Sequence, residues 1–521
     1  MKRNSIIVHP ILMGLYIVIA LAANNVDQIS IEDPLRSLFV VLFLSVLLWA
    51  VYYLIFRNLR LSALLCTLTL FLVFSYGHVY QLLEGQELWD LDIGRHRYIA
   101  PIWLLLYVGG VWLILRLKKH LEIITKYLNI FFLIVIVFPI VTIANYNIQQ
   151  VKTDERQSNI LEDELFENVQ KPDTENLPDI YYIVLDEYTR GDLLKNVYDH
   201  DNEPFFEELE DIGFYVARCS QSNYPRTRLS MGSSLNLNYV DKLGFELDEN
   251  EKDMSWLGVL IEQSRTRKIL EELGYSFVAF EVGVPWADLT SADIFFEPPG
   301  SSDSSVSELP GLNEFEHILI NSTIAILISD GVTVLPWISE KGLDAVNQEH
   351  RERILFVLDE LERVPILPSP KFVHVHLLSP HFPVVFGPNG ESVPTQPKSY
   401  QAQLDGYRDQ VVYLNSRLIP ILEKILDESD PSPIIILQGD HGPRRVVSPP
   451  REDTRLKILN ALLLPEDARG EAYSTMTPVN TFRIVLNSII GTDLPLLEDV
   501  SYWSTRQEPF KFTIVDDNCG D

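Results

Sequence analysis

Hydrophobic and polar positions divide this chain near residue 150. Before it stand five apolar spans, Ile6–Leu21, Leu35–Phe56, Leu61–Val79, Tyr98–Leu115 and Tyr127–Ala144. Each approaches the roughly 20 residues a helix needs to cross ~30 Å of hydrocarbon. The first is embedded in a multi-span pattern and has no obvious small-residue cleavage site, so it reads as a span and not as a signal peptide. Loop charge alternates. Lys2 and Arg3 precede the first span, Arg57 and Arg60 separate the second from the third, and Arg116, Lys118, Lys119 and Lys126 separate the fourth from the fifth. The other two loops carry Asp27, Glu32 and Asp33, then Glu84, Glu87, Asp90 and Asp92 against Arg95 and Arg97. The positive-inside rule then predicts a multi-pass protein of the inner or plasma membrane. Its N-terminus is cytoplasmic, and everything after span five lies in a periplasm or outside the cell. The expected organisation is a five-span all-α bundle over residues 1–146, a polar and partly helical linker over 147–177, and an extracytoplasmic catalytic domain over 178–521.

Beyond the linker the period changes. Short β-branched or aromatic runs at Asp179–Asp186, Phe214–Ala217, Ser276–Val282, Lys371–Leu378, Ile434–Leu437 and Leu456–Leu464 predict strands. Helical patterns lie between them, at Pro204–Leu209, from Thr227 onward, at Trp256–Leu273, Glu314–Ser329, Leu343–Val364 and Gln401–Ser429, and from Thr477 to Ile490. The stretch Glu297–Gly311 has the composition of a loop or lid-like insert. Strands alternating with helices predict an α/β domain with a mostly parallel central sheet.

Charge sharpens the picture. Residues 1–150 hold 11 basic and 8 acidic residues, so the other 31 basic and 64 acidic residues leave the later part near −33. That argues against nucleic acid as a partner. Of three cysteines, Cys66 lies in an apolar span. Cys219 and Cys519 can pair if they meet in an oxidising compartment, and free thiols are an equal alternative.

The candidate chemistry sits at strand ends, where ligands bind in open α/β sheets. The run Ile434–Leu437 stops at Gly439-Asp440-His441-Gly442, which places a carboxylate beside an imidazole. Glycines there allow a tight turn and close approach. The first strand ends in Asp186-Glu187. Thr227, at a predicted helix N-terminus, adds a hydroxyl in the positive end of a dipole. Asp186, Thr227, Asp440 and His441 together suit one divalent metal, Mn, Zn or Mg, with Thr227 as the activated nucleophile. Glu187 rivals Asp186, because strand register decides which carboxylate faces the metal. His376 and His381 are candidates for contacting anionic oxygens or protonating a leaving group. His376 has the alternative of a hydrogen-bonded core position, and His374, on the same strand face but further from the strand end, is read as core. Arg190, Asn223 and Arg444 are candidate substrate contacts, with surface salt-bridging an equal alternative for each arginine.

These motifs resemble, in order and spacing, the alkaline phosphatase superfamily, in its sulfatase-like, membrane-anchored branch. Lipoteichoic acid synthases and phosphoethanolamine transferases belong to that branch. The resemblance spans about Asp179 to Leu497 and rests on Asp186-Glu187, NYPRT, HLLSPHFP and DHGPR. It implies a covalently modified Thr227 and one divalent metal at the four residues above. The chain departs from true sulfatases, since NYPRT lacks the Cys or Ser that becomes formylglycine. The resulting expectation is a membrane-anchored, metal-dependent enzyme acting on phosphate or sulfate esters, transferring a phosphate-linked head group to a surface glycan or lipid. Hydrolysis with water as acceptor, and a non-catalytic surface protein, are the alternatives.

Overall fold

A computed structural model describes the chain except residues 1–5, 27–28, 30–31, 84–86, 89–90, 93–95, 161–176, 244–248, 250, 253, 255, 285, 300–313, 326–335, 394–395, 398, 445–451, 467, 493, 517–518 and 520–521. Two compact units emerge, one of residues 1–148 with 309–346, the other of 149–308 with 347–521.

Among the described residues of the first unit, four helical stretches are long and apolar enough to cross a membrane: Asp33–Phe56, Leu59–Tyr80, His96–Arg116 and Lys118–Ile148. A shorter apolar helix, His9–Asn24, corresponds to the first expected span. It buries Met13, Gly14, Val18, Leu21 and Ala22 among its neighbours. The outer helices do the opposite and expose Phe39, Leu54, Leu105, Trp112 and Phe138. A continuous apolar surface of that kind is stable against lipid and not against water.

Hydropathy gave no sign that residues 309–346 group with these helices. The helix Glu314–Ser322 buries Phe315 and Leu319 in a cluster with Val18, Leu21, Ala22, Ile29 and Val41. Arg36 Nε donates to Glu316 Oε1 at 2.6 Å, and Arg36 Nη2 donates to the other oxygen. This fork-to-fork pair fixes the helix register. The expected insert at Glu297–Gly311 lies largely outside the described residues.

The second unit is built on a seven-stranded sheet. Its strands are β1 (Ile180–Leu185), β2 (Tyr215–Val216), β3 (Ser276–Phe280), β4 (Ile294–Phe296), β5 (Lys371–Leu377), β6 (Ile434–Gly439) and β7 (Asn460–Leu463). The order is β2-β7-β6-β1-β5-β3-β4, with β7 antiparallel to both neighbours and the other pairs parallel. Six strands match the sequence expectation. β4 is three residues long, too short to show a period. The expected helix Trp256–Leu273 is two helices, because Ser264 caps a new start by accepting from Arg267 N.

β1 is central and buried along its whole length, which explains its unbroken apolar run. Register then sets the site. Leu185 lies level with Leu377 on one side and Gly439 on the other. The residues following three adjacent parallel strands therefore emerge at one edge.

At the opposite edge, Lys371 is wholly buried and its ammonium is paired with Asp179. Asp179 also accepts from Lys371 N and Ser369 Oγ. Lys371→Met would leave Asp179 as an uncompensated buried charge and is expected to destabilise this unit by about 3–5 kcal/mol. Urea unfolding of the purified full-length protein, followed by tryptophan fluorescence, would measure it. An unchanged midpoint would show that the pair adds nothing.

Candidate active site

Asp186, Asp440 and His441 each present a ligand atom within 4.8 Å of the others, and all three are buried. Asp186 N donates to Leu377 O, which ties the end of β1 to β5. Asp440 and His441 follow β6 between Gly439 and Gly442. A Cβ on Gly439 would meet Tyr188 O at 2.3 Å, and one on Gly442 would meet Thr454 O at 2.1 Å. These glycines are needed because neighbouring backbone passes against them.

Thr227 is the first residue of the buried helix Thr227–Ser234. Its Oγ1 lies 3.1 Å from His441 Nε2. The loop before it is fastened to the metal-side turn by Ser222, whose Oγ donates to Asp440 O at 2.6 Å. Sequence reading had given Ser222 no role, since its partner is 218 residues away.

The electrostatics favour a cation. Asp186 Oδ1 and Asp440 Oδ2 are buried with no hydrogen-bond partner among the described residues. Such atoms are expensive to bury unpaired. Burial, and next the negative charge of Asp186, push the Asp440 carboxyl up to about 7. Burial opposes ionisation of Asp186 too, but His381, His376 and His441 outweigh it and hold that carboxyl well below its usual range. Burial drives His441 well below the usual imidazole range. It is thus neutral at physiological pH, the form that binds metal. Two carboxylates, one neutral imidazole and a hydroxyl fit a divalent cation such as Zn, Mn or Mg.

Stripping metal with EDTA is therefore expected to lower the thermal midpoint more at pH 8 than at pH 6. Without metal, folded Asp440 keeps its proton until about pH 7, whereas the unfolded chain releases it near ~4. Metal-free stability falls as pH rises through that window. Asp186, ionised throughout, adds no slope there. Thermal melts at both pH values, with and without metal, test this, and equal losses would contradict it.

The structure separates the other candidates. Glu187 does not join the metal group, which corrects its place among the ligands. It adopts φ +64°, and its carboxylate turns to Arg455 Nη1 and Arg444 Nε, each at 3.2 Å. Its backbone N donates to Asp440 Oδ1. His376 sits with its Nε2 3.7 Å from Asp186 Oδ2 and its side chain sealed from solvent. His374 packs edge-on against Tyr182 in the core, as its strand position suggested. His381 lines a cleft of about 420 Å³ with Glu187, Phe382, Pro383, Gln396, Pro397 and Arg444.

Asn223 and Arg190 are not in that cleft. The Asn223 amide donates to Thr477 Oγ1 and Val500 O and accepts from Val479 N, so it braces the NYPRT loop. Arg190 is buried in a forked pair with Asp192. Both are corrected from substrate contacts to supports. Arg455 was missed altogether. Its guanidinium donates to Glu187 Oε1, Gly442 O and Pro225 O, joining the three loops that make the site.

Fold and site define an α/β domain carrying a buried two-carboxylate, one-histidine cation site beside a threonine, on a chain with membrane-spanning helices. The sequence matches no protein-family model and no curated protein. Among solved structures it is similar to the C-terminal periplasmic domain of EcEptC from Escherichia coli in complex with Zn. The identity is 12%, covering 68% of this chain and 96% of that one, with a TM-score of 0.44. It is also similar to the integral membrane protein lipooligosaccharide phosphoethanolamine transferase A from Neisseria meningitidis. There the identity is 13%, the coverage 92% and 95%, and the TM-score 0.38. The soluble domain of that Neisseria meningitidis transferase matches at 11% identity, over 62% of this chain and 90% of that one, with a TM-score of 0.38.

Proposed function

We propose that this protein is a membrane-anchored phosphotransferase, using Thr227 to carry a phosphate-linked head group from a lipid to a glycan or lipid at the outer surface. The observation that carries this reading is the approach of Thr227 Oγ1 to His441 Nε2, 3.1 Å, beside Asp186 Oδ1 and Asp440 Oδ2, which have no hydrogen-bond partner among the described residues. In this reading residues 147–177 are the linker and 178–521 the catalytic domain, with 309–346 reaching back to the helices. The link between Cys219 and Cys519, whose Cα atoms lie 5.4 Å apart, agrees with an oxidising compartment outside the cytoplasm.

Asp186, Asp440, His441 and Thr227 would hold the divalent metal. When bound, it supplies positive charge that lowers the pKa of the threonine hydroxyl and offsets charge on the phosphoryl oxygens. Thr227 loses its proton to water, and its oxygen attacks phosphorus as the bond to the donor's lipid oxygen breaks. His381, half-exposed in the cleft, gives the departing oxygen a proton. In the return step the acceptor hydroxyl attacks phosphorus, returns a proton to His381 and releases Thr227. His376 and Arg455 position Asp186 and Glu187 respectively. The apolar helices keep the domain where lipid donors are.

Mass spectrometry of the full-length protein incubated with a lipid extract tests the reading. The expected result is an adduct on Thr227 whose mass identifies the group and which discharges on adding a glycan acceptor. Discharge at the same rate to water alone would make the enzyme a hydrolase. An unmodified Thr227 under all conditions would sink the proposal.

A further inference from the structure

The turn after β1 is held by a side chain that the proposed reaction does not use. Glu187 is left-handed there, at φ +64°. A residue with a side chain adopts that conformation only where its surroundings impose it. The left-handed turn sends the Glu187 carboxylate to Arg444 and Arg455, while Asp186 faces Asp440 and His441. It also brings Glu187 N to 3.0 Å from Asp440 Oδ1. Asp440 Oδ2 is then the oxygen left without a partner among the described residues. One backbone unit thus orients both metal-side carboxylates.

The carbonyl of that unit is taken by Tyr407. The Tyr407 hydroxyl donates to Glu187 O at 2.6 Å and accepts from Thr189 N at 3.2 Å. A single oxygen therefore bridges Glu187-Tyr188-Thr189. The carbonyls on either side are met by main chain: Asp186 O accepts from His381 N, and Tyr188 O accepts from Leu459 N. Tyr407 comes from the helix Tyr400–Glu428, 220 residues further along the chain. That helix packs closely on the loop after His381. A Cβ on Gly406 would meet Val384 Cγ2 at 2.8 Å. Gln410, one turn on from Tyr407 and wholly buried, accepts from Val385 N and donates to Pro380 O. Tyr407 itself is buried, so water does not compete for its hydroxyl.

We propose that Tyr407 is a positioning residue for the metal site. Its hydroxyl keeps Glu187 left-handed and so holds the Asp186 and Asp440 carboxylates in the arrangement that takes a divalent cation. The inference rests on the phosphotransferase reading only for the presence of that cation. It goes beyond it by assigning the geometry of the metal side to a residue outside the ligand set.

Tyr407→Phe removes one oxygen and keeps the ring that stacks on Tyr198. Full-length protein in detergent would be stripped with EDTA and titrated with Zn(II) against a chelating dye. The variant is expected to bind about tenfold or more weakly, the usual loss when a group behind a metal ligand is removed. The visible spectrum of the Co(II)-loaded variant should also differ from that of the parent, because it follows ligand geometry and not stability. Leu418→Ala opens the buried face of the same helix. It should lower the metal-free thermal midpoint while Zn(II) affinity stays within about twofold, as for independent sites. Unchanged Zn(II) affinity and Co(II) spectrum in Tyr407→Phe would overturn the inference, and so would an equal loss of affinity in Leu418→Ala. Either result leaves the Thr227 adduct, measured separately, untouched. A parent protein with no measurable Zn(II) or Co(II) affinity would overturn this inference and the metal-dependent reading together.

Discussion

Thr227→Ala is expected to lower turnover by roughly 10³-fold or more, because a covalent route loses its nucleophile and not merely a contact. The adduct detected by mass spectrometry should vanish with it. Thr227→Ser keeps an oxygen at the same helix start and should recover a measurable part of both signals. The variant should remain folded. Thr227 is buried, and its side-chain oxygen lies 3.1 Å from His441 Nε2. The surrounding loop is held instead by Ser222, Asn223 and Arg455. Full activity in Thr227→Ala would show that phosphorus is attacked by another group, and the threonine would then be only a helix start.

The second large effect concerns Asp440. Asp440→Asn should abolish tight metal binding and, with it, turnover by roughly 10³-fold, since one of the two anionic ligands is lost. The same change should stabilise the metal-free protein at pH 8 by about 1–4 kcal/mol, because it removes a buried charge that Asp186 repels. The amide oxygen can still accept from Glu187 N, so the turn is kept. The two effects have opposite signs, which separates a functional cluster from a structural one. Metal analysis by mass spectrometry and thermal melts of the EDTA-treated variant measure them. Undiminished metal content would exclude Asp440 as a ligand. A metal-free melt below that of the parent would show that Asp440 supports the fold.

Much of this protein was legible along the chain because the decisive signals are local. Strand period and helix hydropathy depend on neighbouring residues, so β1, β5 and β6 appear within a residue or two of their expected bounds, and each expected span falls on an apolar helical stretch. Parallel register then follows from burial on both faces, and it alone brings Asp186 to Asp440 and His441. The sequence could name those residues because motifs at strand ends share one edge in any such sheet. What it could not decide depends on partners far away. Whether Asp186 or Glu187 faces the metal turns on a left-handed residue whose carboxylate meets Arg455, 268 positions on. Asn223 and Arg190 look like substrate contacts until the groups that satisfy them are brought in by other segments. Likewise, the helix Glu314–Ser322 reads as part of the later domain until Arg36 and its apolar neighbours take it. Pairing energies between distant side chains set these outcomes, and a linear pattern does not contain them.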